Sequence, residues 1–201
     1  GFILVAFAVG TACNANFYHA LTTPIECGGI IFAIDSILFT LFLHTIIVKY
    51  LHYSLKDAKN MAVASVVAIV ISAVIEFLAK LNSIGYSNAI LLNFLNYIVS
   101  AFASLIGIFF MIWFLEKSKK MNVYLRILIA IFIGSILNST IYYLGVYFIN
   151  GINGEVFWKM LLGSYIGKTY AIGLSMLCYF ANGTILVPTD LQKMNHHELE
   201  K

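Results

Sequence analysis

A lysine stands inside a long apolar run near the C-terminal end of the chain. Lys168 lies within Leu161–Val187, a stretch long enough to cross a lipid bilayer. A charged side chain at the centre of a membrane helix costs roughly 2.5–3.5 kcal/mol or more, so it requires a polar partner or a ligand. Its neighbours Gly163, Ser164 and Gly167 are small and leave space beside it. These residue types indicate either a contact between helices or a binding site.

Other polar residues at membrane depth could meet Lys168. Asp35 is a second ionisable residue inside an apolar run, and Asn138 lies on a polar helix face with Ser135, Ser139 and Tyr142, at helical spacing. Two interpretations remain open. Small residues and hydroxyls can join helices, with a structural Asp35–Lys168 ion pair among those contacts. Alternatively, the polar residues bind a ligand.

A ligand of this polar set would be small, planar and polar. Lysine and asparagine supply hydrogen bonds, and the nearby tyrosines and Trp158 supply flat apolar surfaces, which together suit a heterocycle held between helices. The candidate substrate-binding residues are Asp35, Ser135, Asn138, Tyr142, Trp158, Ser164 and Lys168.

The sequence lacks the usual signals of enzymatic chemistry. Gly163–Thr169 has one residue too few between its glycines for a phosphate-binding loop. The sequence shows no His, Cys, Asp and Glu spacing typical of a metal site and no hydrolytic triad. We therefore expect no enzyme activity, no metal and no cofactor.

Composition predicts the fold class. Hydrophobic residues make up 61% of the 201 residues and charged residues 10%, with a mean hydropathy of +0.92, whereas soluble proteins carry about 25% charged residues. We predict an all-α integral membrane protein, a bundle of six transmembrane helices formed by residues 1–188. The first segment opens directly after Gly1, so we expect a truncated helix. The predicted segments are Phe2–Ala12, Gly28–Val48, Met61–Ala79, Ala89–Leu115, Val123–Ile149 and Leu161–Val187.

The cations predict the orientation of the bundle. Between the segments, one side receives only Lys80 and Lys159, and Glu76, four residues before Lys80, is interpreted as interfacial and solvated. The positive-inside rule then places both termini in the cytoplasm of a bacterial inner membrane. Anionic lipid headgroups explain the positive charge, and nucleic acid is not implied. The cations of the predicted cytoplasmic side are Lys49, Lys56, Lys59, Lys117, Lys119, Lys120, Arg126, Lys193 and Lys201.

The region from about Ile98 to Phe180 resembles the vitamin-uptake-transporter family, whose characterised members take up queuosine precursors. The resemblance rests on Ser135–Tyr142, on Phe157-Trp158 and on the stretch Leu162–Lys168. Asn138 and Lys168 match the polar residues of the last two helices, although aspartate is common at the position of Asn138. Asp35 matches an aspartate of the second helix, but the motif that usually follows it is weak here. The resemblance implies a fold similar to the substrate-binding subunits of energy-coupling-factor vitamin transporters, with an energising subunit as a partner.

Two function classes therefore remain open from the sequence. In the first, the protein takes up a small heterocycle. In the second, the same pocket senses a ligand as the membrane domain of a signalling protein, and the amphipathic tail 189–201 relays a helix movement to a fused cytoplasmic diguanylate-cyclase (GGDEF) or kinase domain. A purely structural membrane subunit is a third option. The coding sequence beyond Lys201 discriminates the first two.

Overall fold

The computed structural model describes residues 25–27, 30–32 and 35–181, which form two short strands and five helices. The strands pair antiparallel, with Ile25 opposite Phe32. The helices follow one another with only short connections between them. The elements are β1 (Ile25–Cys27), β2 (Ile30–Phe32), α1 (Asp35–His52), α2 (Leu55–Ile84), α3 (Asn88–Lys117), α4 (Val123–Asn150) and α5 (Gly154–Ala181).

Three of the helices are long and apolar enough to cross a membrane, namely α2, α3 and α4. The predicted class of helical membrane protein is confirmed at this level. The predicted first segment, Phe2–Ala12, and the tail 189–201 lie outside the described residues. The count of six crossings and the cytoplasmic location of the termini stay predictions.

The helix boundaries differ from the predicted segments at their polar ends. The second segment was predicted from Gly28, whereas α1 begins at Asp35 and follows the hairpin of β1 and β2. Helix α2 begins at Leu55 because the Ser54 hydroxyl caps it by accepting a hydrogen bond from the Asp57 amide at 3.0 Å. Its first turn is charged, so hydropathy alone misses it. Helix α5 likewise begins at Gly154, ahead of the apolar run.

Short connections make consecutive helices antiparallel. Two of the turns, after α2 and after α4, contain a glycine with positive φ, Gly85 at 77° and Gly151 at 60°, a conformation that side chains with a Cβ disfavour. Most lysines of the described bundle lie in or beside the turns on one side. The turns on the opposite side lie near Lys80 and Lys159. We call the first side the basic end; its lysines are Lys49, Lys56, Lys59, Lys117, Lys119 and Lys120.

The closest helix packing in the described bundle joins α3 to α4. A Cβ built on Gly107 would lie 2.6 Å from the carbonyl oxygen of Gly134, and one built on Gly134 would lie 3.0 Å from the carbonyl oxygen of Gly107. Small residues allow membrane helices to approach at this distance. The sequence favoured such packing at Gly167, but a Cβ there meets no atom within 4 Å. The tight contact therefore belongs to α3 and α4, and it determines where the polar face of α4 lies.

Candidate functional site

Lys168 lies at the middle of α5 and is buried against α4, with 4% of its surface exposed. Its ammonium group donates a hydrogen bond of 2.7 Å to the Asn138 side-chain oxygen and one of 3.4 Å to the Ser135 carbonyl oxygen. Both acceptors lie on the interior face of α4. The protein therefore supplies the polar partners that a buried lysine requires.

Asn138 is in turn held by α3. Its side-chain amide donates a hydrogen bond of 3.2 Å to the Ser104 hydroxyl, which is also buried. A Cβ on Gly107, one turn along α3 from Ser104, would lie 3.2 Å from the Asn138 Cβ. The close approach of α3 and α4 thus places Asn138 between Ser104 and Lys168, and the polar chain links three helices.

The Lys168 ammonium also lies over an aromatic ring of α1. Its nitrogen is 4.9 Å from the centroid of the Phe39 ring, within the range of a cation–π interaction. A flat apolar surface and a hydrogen-bonding cation therefore face each other inside the bundle. We call Phe39, Ser104, Ser135, Asn138 and Lys168 the lysine site.

One hydroxyl of the lysine site lacks a partner. The side chain of Ser135 is 99% buried, since 1% of the residue is exposed, and its hydroxyl oxygen has no hydrogen bond in the described part of the chain. An enclosed polar group without a partner costs about 1–3 kcal/mol. This unsatisfied hydroxyl, next to the carbonyl that Lys168 contacts, is the feature of the site that favours an additional hydrogen-bonding group.

A second row of hydroxyls joins α4 to α5 further along the same helix pair. The hydroxyls of Ser139 and Ser164 are 2.9 Å apart, and those of Thr140 and Tyr165 are 2.7 Å apart. Each of these hydroxyls therefore has a hydrogen-bond partner on the other helix. They fit the interpretation of Ser139 and Ser164 as interhelical contacts, and Ser164, a candidate binding residue, is engaged in that row.

The remaining candidates from the sequence are Trp158, Tyr142 and Asp35. Trp158 is 60% exposed, and its ring stacks edge-on against Phe157 with centroids 5.1 Å apart. Tyr142 is half-buried, with its ring 5.1 Å from that of Tyr143. Asp35 begins α1, but its side chain lies outside the described part of the structure.

Sequence reasoning omitted two members of the lysine site. Ser104 sits in a strongly apolar helix, and its spacing from Gly107 was the only signal that could have marked it as a contact residue. Phe39 gave no signal, because a phenylalanine in an apolar run is typical of any membrane helix. Its position depends on the path of α1, which spacing within that helix does not determine.

A second polar cluster lies between α2 and α3, away from the basic end. Lys80 and Glu76 form a salt bridge of 2.5 Å across one helical turn, with side chains 27% and 22% exposed. They line a small, open cleft together with Asn93 and Tyr97. The two charges of this cleft pair with each other and remain partly exposed to solvent. The cleft therefore needs a ligand less than the lysine site does.

The described residues contain no cluster of three or more His, Cys, Asp or Glu side chains that could hold a metal ion. No protein-family model matches the chain, and no curated protein or solved structure matches it. The resemblance to vitamin-uptake transporters therefore stays a prediction, and the geometry of the lysine site carries the functional argument.

Proposed function

We propose that the protein is a membrane transporter that takes up a small planar heterocycle, of the queuosine-precursor or vitamin type, and binds it at the lysine site. The observation that carries the proposal is the enclosed Ser135 hydroxyl without a partner in the described part of the chain, beside the buried Lys168 ammonium. A heterocycle with a ring nitrogen or a carbonyl group would satisfy that hydroxyl and accept a hydrogen bond from Lys168.

The aromatic ring of Phe39 supports the planar class of ligand. Its centroid lies 4.9 Å from the Lys168 nitrogen, so a ligand that reaches the ammonium also reaches an aromatic face. Offset stacking of two rings contributes about 0.5–1.5 kcal/mol beyond the burial of their surfaces. Binding sites for small molecules commonly combine apolar surfaces with a few convergent polar groups, and Phe39, Asn138 and Lys168 supply both.

The proposal includes six membrane-spanning helices, both termini in the cytoplasm, and a bacterial inner membrane as the location. The segregation of cations to the basic end supports that orientation, because cytoplasmic loops carry an excess of lysine and arginine. Asp35, Tyr142, Trp158 and Ser164 are retained as outer contacts of the ligand or of its entry path. An energising subunit and a small-molecule ligand are the partners the proposal implies.

Uptake by the purified full chain tests the proposal. A thermal-shift screen against purine-like bases and vitamins selects the ligand, and its uptake is then measured in proteoliposomes. We expect Lys168→Ala to reduce uptake at least about 100-fold, because the loss of a hydrogen-bonded charged group from an enclosed site costs roughly 3 kcal/mol. The matched control is Lys159→Ala on the same helix. Lys159 is partly exposed and bridges Glu155 at 2.7 Å, so its loss should leave uptake near the wild-type level.

Two outcomes would refute the proposal. One is wild-type uptake by the Lys168→Ala protein. The other is a wild-type protein that binds none of the planar bases and vitamins in the screen. Binding without uptake by the chain alone is expected both of the sensor alternative and of a transporter that lacks its energising subunit, and the coding sequence beyond Lys201 discriminates the two.

A further inference from the structure

Arg126 is a buried cation that the lysine site does not use. The positive-inside count assigns it to the loop cations, yet only 4% of the residue is exposed. It occupies the interior face of α4, in line with Ala130 and Gly134, which are also buried. Its Nε atom is enclosed and has no hydrogen-bond partner in the described part of the chain.

The Nε–H group of Arg126 is an enclosed donor without an acceptor among the described residues. An enclosed donor on a charged group is unfavourable unless an acceptor reaches it. The two acidic residues that flank the turns of the basic end are already engaged. Glu116 accepts a hydrogen bond of 2.6 Å from Tyr50 and bridges Lys119 at 3.2 Å, and Asp57 accepts a hydrogen bond of 2.6 Å from Ser54. These two carboxylates therefore do not serve the Arg126 Nε–H group, and an anion from outside the described bundle would supply its acceptor.

The depth of Arg126 indicates which anion that is. Arg126 is the fourth residue of α4, and its side chain leans toward the N-terminus of the helix, as helical side chains do. A helix of 28 residues is roughly 42 Å long, against a hydrocarbon core of about 30 Å, so the first turn extends to the level of the headgroups. Guanidinium groups bind phosphate through two parallel hydrogen bonds, and basic pockets between membrane helices bind anionic headgroups.

We propose that Arg126 is the centre of a phosphate-binding site at the basic end of the bundle, occupied by the headgroup of an anionic phospholipid or by a soluble phosphate. The neighbouring lysines of the basic end raise the local concentration of anions. The amide groups at the start of α4 play no part, because the Asn122 side chain already accepts hydrogen bonds from two of them. The proposal does not depend on the ligand of the lysine site.

Thermal unfolding of the full chain in mixed micelles tests the phosphate site. Phosphatidylglycerol at a hundredfold excess over its Kd should raise the Tm of the wild-type protein by roughly 5–10 °C relative to phosphatidylcholine. Arg126→Met should abolish this rise and should unfold in phosphatidylcholine at or above the wild-type Tm, because an apolar side chain of similar length replaces an uncompensated charge. Lys120→Gln is the matched control: it removes an exposed cation from the same end and should keep most of the rise.

A second variant and a second ligand complete the design. Arg126→Lys keeps the charge but loses the bidentate geometry, so it should retain less than half of the Tm rise, and it serves if Arg126→Met does not fold. Inorganic phosphate replaces the lipid in a parallel titration; an equal rise that depends on Arg126 assigns the site to a soluble phosphate. A full rise in the Arg126 variants, or no rise in the wild type with either phosphate source, would overturn the proposal.

Discussion

Lys168 and Arg126 are two cations buried to the same extent, each with 4% of its surface exposed, and their surroundings differ. Lys168 lies at the middle of α5, where it contacts the Asn138 oxygen, the Ser135 carbonyl and the Phe39 ring. Arg126 lies in the first turns of α4, where its Nε has no acceptor among the described residues. In the proposed topology, Lys168 lies near the bilayer centre and Arg126 near the headgroups, and this accounts for the difference. At the bilayer centre only the protein or a bound ligand can stabilise a charge, whereas near a helix end a headgroup can do so.

The two sites also show that burial of a charge does not by itself indicate which ligand a site binds. Burial of a charge shows that something must stabilise it, but the unsatisfied groups nearby indicate what is still to be bound. At the lysine site the unsatisfied group is the neutral Ser135 hydroxyl, which favours a neutral polar ligand. At Arg126 the unsatisfied group is the Nε–H of a guanidinium cation, which favours an anionic acceptor.

The largest expected effect on stability comes from removing the acceptor of Lys168. Asn138→Leu removes the 2.7 Å acceptor of the ammonium and deprives Ser104 of the Asn138 amide that it accepts a hydrogen bond from. We expect a loss of about 3 kcal/mol in the free energy of unfolding, since a buried charged group then lacks its main hydrogen bond. Unfolding in mixed micelles by a graded denaturing detergent measures the change.

The double variant Asn138→Leu/Lys168→Met provides the control for that measurement. It removes both partners and leaves an apolar contact, so it should be more stable than Asn138→Leu alone. Strictly additive effects of the two substitutions would contradict a direct interaction between Lys168 and Asn138.

A smaller effect is expected from the helix contact that positions Asn138. Gly107→Ala introduces a Cβ 2.6 Å from the Gly134 carbonyl oxygen, so α3 and α4 must move apart. Overpacking of this kind costs about 1–3 kcal/mol, and displacement of Asn138 should also weaken ligand binding. Gly173→Ala on α5 is the matched control, because a Cβ there meets no atom within 4 Å. Equal stability of the two variants would show that the close approach of α3 and α4 is unimportant.

Particular residues show how far the sequence predicts this molecule. The apolar segments predicted α2, α3 and α4 as membrane helices, because continuous hydrophobicity over such lengths is typical of segments that cross a bilayer. The spacing of Ser135, Asn138 and Ser139 predicted one polar face of α4, and the structure brings that face to Lys168. The hairpin before α1 and the burial of Arg126 were not predicted. They depend on how the helices pack, whereas hydropathy and charge counting describe each segment alone.

The most direct test of the lysine site compares two neighbouring serines of α4 that are each 1% exposed. Ser139 is hydrogen-bonded to Ser164, whereas the Ser135 hydroxyl has no partner in the described chain. Ser139→Ala should therefore lower stability by about 0.6–1.7 kcal/mol and leave the affinity for the planar base found in the screen unchanged. Ser135→Ala should leave stability unchanged or higher and weaken that affinity about 2- to 13-fold, as expected for one lost hydrogen bond. A loss of stability in Ser135→Ala with full affinity would contradict ligand binding at the lysine site and make Ser135 a contact between helices.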